Sequence, residues 1–245
     1  MKYKFNTNSK QVLGDLQTPV SIYLKVRDIY PESALLESSD FHGNSNSLSY
    51  IALCPLARVS VNSNICSFTF PDGNKEEKTL NENYDVACGI NEFLGKFLIE
   101  GEDKDKYGLF GYTVFDAVKY FEPVDIKEFH HNENDAPDML YIMYKYIIIF
   151  DHFKNELKLV ELLSDGEKSN LQSMETMINN RNYASYNFYR NGEETSPVSD
   201  EEYKEMVRRG ISHCLRGDVF QIVLSRGFAQ PFRGDDFKVY RALRS

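Results

Sequence analysis

The 245-residue chain contains no tryptophan. Its aromatic surface rests on 16 Tyr and 17 Phe, enough area to bury that disorder of the whole chain is not expected. Cysteine is sparse: Cys54, Cys66, Cys88 and Cys214 are widely and irregularly spaced, with no C-x-x-C pair. That spacing argues against a disulfide framework and reads as reduced, mostly buried thiols in a cytosolic protein. The five histidines are scattered too, and the adjacent pair His130-His131 points to opposite sides on an extended backbone. Without H-E-x-x-H or a Cys/His array, no zinc site built by the protein is expected, and no Ser-His-Asp order can be argued. Positive charge is in deficit: 28 Lys and Arg stand against 37 Asp and Glu, a net charge of −9. A nucleic-acid binder shows a basic face, so neither nucleic acid nor an anionic membrane is expected as partner. Long apolar runs are lacking as well. The most apolar one, Met139–Phe150, is too short for a membrane span and carries Lys145. The N-terminus "MKYKFNTNSKQ" has no apolar signal-peptide core, and a cytoplasmic location is expected.

What is present is an ordinary globular pattern, with 42% hydrophobic and 27% charged residues. Thr18 and Pro19 mark a helix start, followed by Val20, Tyr23, Leu24 and Arg27 at helical spacing, with Pro31 beyond. "ALLESSD" reads as a short strand leaving into a small-residue loop, Ser38–Ser47. "LSYIAL", "ARVSV" and "ICSFTF" read as short strands separated by Pro55 and by Asn62-Ser63-Asn64. The second half of 74–106 reads as a helix. Gly108 and Gly111 are close-packing positions in a strand that turns helical around Phe115–Tyr120. Met139–Phe150 and "ELKLVELL" form a hairpin, and Leu171, Met174 and Ile178 share one helical face. Arg181–Val198 is a polar linker. Ser199 and Glu202 then make a capping box for a helix with an apolar stripe of Tyr203, Met206, Val207, Ile211 and Cys214, closed by Gly217. Strands dominate the first two-thirds without a βαβ rhythm. The expected fold class is α+β, with mostly antiparallel sheets packed with helices.

Two polar spots stand out. In "RGDVFQIVLSRGF", Gln221 lies in the middle of what reads as a strand covered on both faces. A buried amide there either bonds a neighbouring backbone group or faces a cavity to orient a polar ligand. In "LLESSD", Glu37 and Ser38 end a strand. They serve either turn chemistry, with Ser39 and Asp40, or recognition of an amino-acid head group. The residues alone leave both choices open.

The stretches "TPVSIYLKVRD", "ALLESSD", "GLFGYTVFDAV", "YKYIIIFDHFKNELKLV" and "EEYKEMVRRGISHCLRGDVFQIVLSRGF" resemble, in order, the N-terminal half of the family of anthranilate synthase component I. The resemblance covers nearly the whole chain. It implies a parent carbon-oxygen lyase of tryptophan biosynthesis that converts chorismate and ammonia or glutamine to anthranilate and pyruvate. It further implies Mg²⁺ in the full-length enzyme as Lewis acid, with no metal ligand in this stretch, and a glutamine amidotransferase subunit as partner. It gives Gln221 the position beside the attacking amine, where water-adding relatives carry a lysine base. It gives Ser38, with Glu37 beside it, a place in a site for L-tryptophan as feedback inhibitor. The family's Arg-Tyr-Ser-Phe strand is Leu48-Ser49-Tyr50-Ile51 here, without the arginine. Residues 1–192 correspond to the N-terminal region and 193–245 to the beginning of the chorismate-binding catalytic region. The sequence stops before the family's Asn-Pro-Ser-Pro-Tyr segment. The expectation is therefore a truncated form or gene fragment, inactive alone. Aminodeoxychorismate synthase component I and a stand-alone amino-acid-binding regulatory module are the alternative readings.

Overall fold

The apolar runs that punctuate the sequence become two long strands at the centre of one sheet. The computed structural model describes residues 2–38, 47–124, 126 and 136–244. These divide into two compact units, Met1–Tyr183 and Ala184–Ser245. His130, His131, Ser39, Asp40 and most of the Ser38–Ser47 loop lie outside the described residues.

In the first unit, β1 (Tyr3–Leu13), β2 (Ala34–Leu36), β3 (Leu48–Asn62), β4 (Ile65–Thr69), β5 (Lys75–Thr79), β6 (Phe97–Glu100), β7 (Phe110–Thr113), β8 (Met139–Asp151) and β9 (Glu156–Leu163) share one sheet. Its order is β5-β4-β3-β8-β9-β1-β6, antiparallel except for the β1–β6 pair. Long β3 and β8 pair with each other along their length. Each has its other edge filled by two short strands end to end: β2 and β4 along β3, β7 and β9 along β8. Helices α1 (Pro19–Val26), α2 (Val86–Gly95) and α3 (Leu171–Asn179) pack on this sheet. The fold class is α+β.

Local chemistry explains the element ends. Thr18 caps α1, its hydroxyl accepting from Ser21 N–H at 3.1 Å, with Pro19 in the first turn. Asp85 caps α2 through Cys88 N–H at 2.7 Å. The buried residues of α1 are Pro19, Ile22, Leu24 and Val26; of the Val20, Tyr23, Leu24 and Arg27 expected from spacing, Leu24 is buried and Tyr23 packs half-buried on the same cluster. The loop after Val26 carries Tyr30 onto the same cluster. Leu171, Met174 and Ile178 of α3 are buried against Ile148, Phe150 and Leu159, as their spacing predicts. The segment around Phe115 is a 3₁₀ turn, Phe115–Tyr120.

Three expectations change. Pro55 does not separate two strands. It sits inside β3, where Cys54 has φ of 62° and the pairing with β8 shifts register between Pro55 and Ala57. Having no N–H, proline fits a strand where the ladder is already interrupted by a bulge. Gly111 is a close-packing position: a Cβ there would lie 1.8 Å from Leu140 O. Gly108 lies before the strand, with nothing within 4 Å of such a Cβ. Of the four thiols only Cys66 is buried; Cys54 is half-buried, and Cys88 and Cys214 are exposed.

The sheet also carries a buried carboxylate. Glu161 on β9 is fully inaccessible. It accepts from Asn8 Nδ2 at 2.8 Å and from the backbone N–H of Asn170, the residue before α3, at 3.0 Å. This ties the start of α3 to β1 and β9.

The second unit holds α4 (Asp200–Arg216), α5 (Phe237–Arg244) and a short ladder of β10 (Phe188–Arg190) with β11 (Phe232–Gly234). The Ser199–Glu202 capping box forms, and Gly217 closes α4 with φ of 80°. The stripe on α4 is only partly covered: Tyr203, Met206 and Val207 are half-buried, while Ile211 and Cys214 are exposed.

Candidate functional site

The chain reaches Glu37 and Ser38 because β2 pairs antiparallel with Tyr50–Ala52 of β3. Tyr144 of β8 steadies the approach, its hydroxyl donating to Glu32 O at 3.0 Å. Burial pushes that phenol up to about 12, so it stays a neutral donor. Leaving β2, Ser38 then lies beside Ser47 and Ser49 at the start of β3.

Four polar side chains meet there. Ser38 N–H donates to Ser49 Oγ at 3.2 Å, and Ser47 Oγ lies 3.5 Å from Ser38 Oγ. Ser49 Oγ is 2.7 Å from His152 Nε2, and His152 N–H donates to Ser47 O at 3.1 Å. The His152 ring packs on Phe150, with centroids 4.7 Å apart. Glu37 and Ser38 are half-buried. Ser47 and Ser49 are buried.

The arrangement offers hydroxyls and an imidazole at one sheet end, with Glu37 next along the chain from Ser38. It suits recognition of a small polar head group. It does not suit nucleophilic attack, because Ser49, the serine bonded to the histidine, is 1% exposed and out of a substrate's reach. Ser47, Ser49 and His152 were not singled out from the sequence. The available signal was parity: Ser49 alternates with Ile51 and Leu53, both fully buried, and is the polar member of that covered face. The pairing of Leu48 with Asp151 brings His152 alongside.

Gln221 belongs to the second unit, and the strand expected around it is absent. Residues 219–228 carry no strand, and Phe220, Gln221, Ile222 and Val223 are exposed. Gln221 makes no side-chain hydrogen bond among the described residues. The segment lies against α4 at buried Gly210, where an added Cβ would approach Leu224 at 3.2 Å and Ile222 at 3.5 Å. Tyr203 OH donates to Leu224 O at 3.3 Å, and Arg226 pairs with Asp200 at 2.5 Å. The physical reason is a lack of partners. A strand needs a neighbouring backbone, and the described strands of this unit are the two short ones already paired with each other.

Among the described residues no three His, Cys, Asp or Glu side chains gather as a metal site, and no helix is long and apolar enough to cross a membrane.

A family model described as chorismate binding enzyme matches residues 62–245. Anthranilate synthase component 1 of Lactococcus lactis is 26% identical, over 96% of this chain and 51% of that protein. The protein of the same name from Thermus thermophilus is 29% identical, over 96% and 50%. The crystal structure of anthranilate synthase component I from Streptococcus pneumoniae matches with a TM-score of 0.56 at 20% identity, over 97% of this chain and 52% of that one. At that identity the structural likeness is one of fold. The chain spans about half the length of the curated relatives it matches.

Proposed function

This chain belongs to the chorismate binding enzyme family, and from that premise we propose that it is part of the synthase subunit of an anthranilate synthase. The parent enzyme would convert chorismate and ammonia or glutamine to anthranilate and pyruvate in the cytoplasm, with a glutamine amidotransferase subunit supplying ammonia. Residues 1–192 are its N-terminal region and 193–245 the beginning of its catalytic region. In this reading Ser38 and Glu37 recognise L-tryptophan as feedback inhibitor, and Gln221 orients the attacking amine. The observation that carries the regulatory part is the Ser38–Ser49–His152 cluster, which presents polar groups at a sheet end with the histidine-bonded Ser49 shielded. The exposed, irregular setting of Gln221 supports a chain without synthase activity of its own. Mg²⁺ would act as the parent's Lewis acid. Among the described residues no three His, Cys, Asp or Glu side chains gather to hold it.

A second reading is a stand-alone amino-acid-binding regulatory module. It is favoured by the placement of the whole Ser38 cluster in a unit with its own buried core. Calorimetric titration of L-tryptophan into the 245-residue chain, beside Ser38→Ala, tests the site. Saturable binding lost in the variant supports tryptophan recognition. No binding by a folded chain removes it. An anthranilate fluorescence assay with chorismate, ammonium and Mg²⁺ tests activity, and turnover by this chain alone would refute the inactive-fragment reading. Product analysis of the parent enzyme separates anthranilate from 4-aminodeoxychorismate.

A further inference from the structure

We propose that the sheet carries a second binding groove, on the face opposite the Ser38 cluster, for a free α-amino acid with an apolar side chain. Side chains alternate along a strand, so Ser49 and Phe150 face one side while Leu48, Tyr50 and Ile149 face the other. On that other side a cavity of about 410 Å³ opens between the strands and the Lys104–Lys106 turn. This volume falls in the range of small-molecule sites.

Register builds its floor in two rows. One row sets Leu48 of β3 beside Asp151 of β8 and Glu156 of β9. The next sets Tyr50, Ile149 and Lys158 side by side, with Gln11 of β1 beyond. The first row places two carboxylates directly opposite each other, an arrangement that repels. Asp151 Oδ1 is engaged by the N–H groups of Phe153 and Lys154, each at 3.0 Å, and Lys154 Nζ stands 3.9 Å from its other oxygen. The Glu156 carboxylate makes no hydrogen bond or ion pair among the described residues. An ammonium group placed between them relieves the repulsion and completes both carboxylates.

The second row supplies the opposite sign. Lys158 is held by buried Asp103, and Lys106 stands on the wall, bonded to Asp105 at 2.7 Å. Toward β3, beside these charged residues, lie Leu48, Tyr50 and Ile149, an apolar bed for a side chain. The lining holds three lysines and three carboxylates, so its formal charge balances. A balanced groove with separated signs fits a zwitterion with an apolar body better than a phosphate or a metal ion. The inference does not depend on the role given to Ser38.

The test follows ¹H–¹⁵N spectra of the 245-residue chain during titration with L-phenylalanine and with L-leucine. Phenylacetate and phenethylamine serve as probes that each keep one charge. The expected result is saturable shifts at Tyr50, Ile149 and Lys158 with an amino acid, and at least about tenfold weaker binding of both single-charge probes. Glu156→Gln and Lys106→Gln, each with a dispersed folded spectrum, weaken amino-acid binding about tenfold; Ser38→Ala leaves it unchanged. The proposal is overturned if neither amino acid saturates the groove, if phenylacetate or phenethylamine binds as tightly, or if Ser38→Ala abolishes binding.

Discussion

Replacing Glu161 with alanine tests whether one buried carboxylate holds α3 to the sheet. The side chain is fully inaccessible and accepts two hydrogen bonds, from Asn8 Nδ2 and from Asn170 N–H. A hydrogen bond to a charged group contributes about 1.5–3 kcal/mol. Losing two such bonds therefore costs about 3–6 kcal/mol before any offset. Two terms reduce this. Asn8 Nδ2 keeps its bond to Ser169 Oγ at 3.0 Å, and the variant no longer has to desolvate a carboxylate. A net loss of about 2–3 kcal/mol remains, which for a chain of this size lowers Tm by about 5–10 °C. Circular dichroism melts give the magnitude, and hydrogen exchange gives the location. Amides of Leu171–Asn179 should lose protection before those of β3 and β8. A Tm within about 1 °C of the parent, or a loss of protection that spares α3, would refute the anchoring argument.

Other consequences follow from the same structure. Burial raises the Asp103 carboxyl, but hydrogen bonds from Lys158 and Ser9 and the Lys158 charge outweigh it and hold the group below the usual carboxylate range. Its stabilisation is complete above the unfolded value of about 4 and is lost as pH falls through the folded value, so urea midpoints of the parent should fall more between pH 7 and pH 3 than those of Lys158→Met. Burial, with the nearby Glu92 carboxylate, pushes the Cys66 thiol up to about 11, so at pH 8 a disulfide reagent should modify Cys88 and Cys214 about a hundredfold faster, as read by mass spectrometry. The uncharged, β-prone stretch around Val223, which is 82% exposed, should drive self-association of the chain. Val223→Lys should delay the onset of light scattering on concentration, and no change would show that another surface is responsible.

The parts of this fold that can be read from sequence are those decided within a few residues. The ends of α4 are local chemistry: Ser199 and Glu202 bond each other's backbone, and Gly217 adopts a conformation that costs glycine little. The β8–β9 hairpin is equally local. The stretch around Gln221 is not. Its run of β-branched and aromatic residues resembles that of β8, but propensity supplies no backbone to pair with, and no strand forms. Pro55 shows the converse, since pairing with β8 carries β3 through a residue that punctuates strands elsewhere. The Ser38 site was half legible. "LLES" marks where a strand ends, whereas Ser49 and His152 are 103 positions apart and meet only through the β3–β8 register. The groove on the opposite face has no sequence signature, because its rows draw on four strands and a turn.

The parity of β3 therefore bears on how this sheet tolerates change in length. Leu48 and Tyr50 serve one surface, and Ser49, between them, serves the other. A one-residue deletion between Leu48 and Leu53 would turn each of these side chains to the wrong side, delivering a serine into the apolar bed and a tyrosine into the serine cluster. A two-residue deletion would shorten the strand yet keep every survivor on its own side. In a library of deletions scanned along β3, tolerance should alternate with the length removed, odd against even. The bulge at Pro55 is the one place along the strand where a single residue can be gained or lost without that exchange.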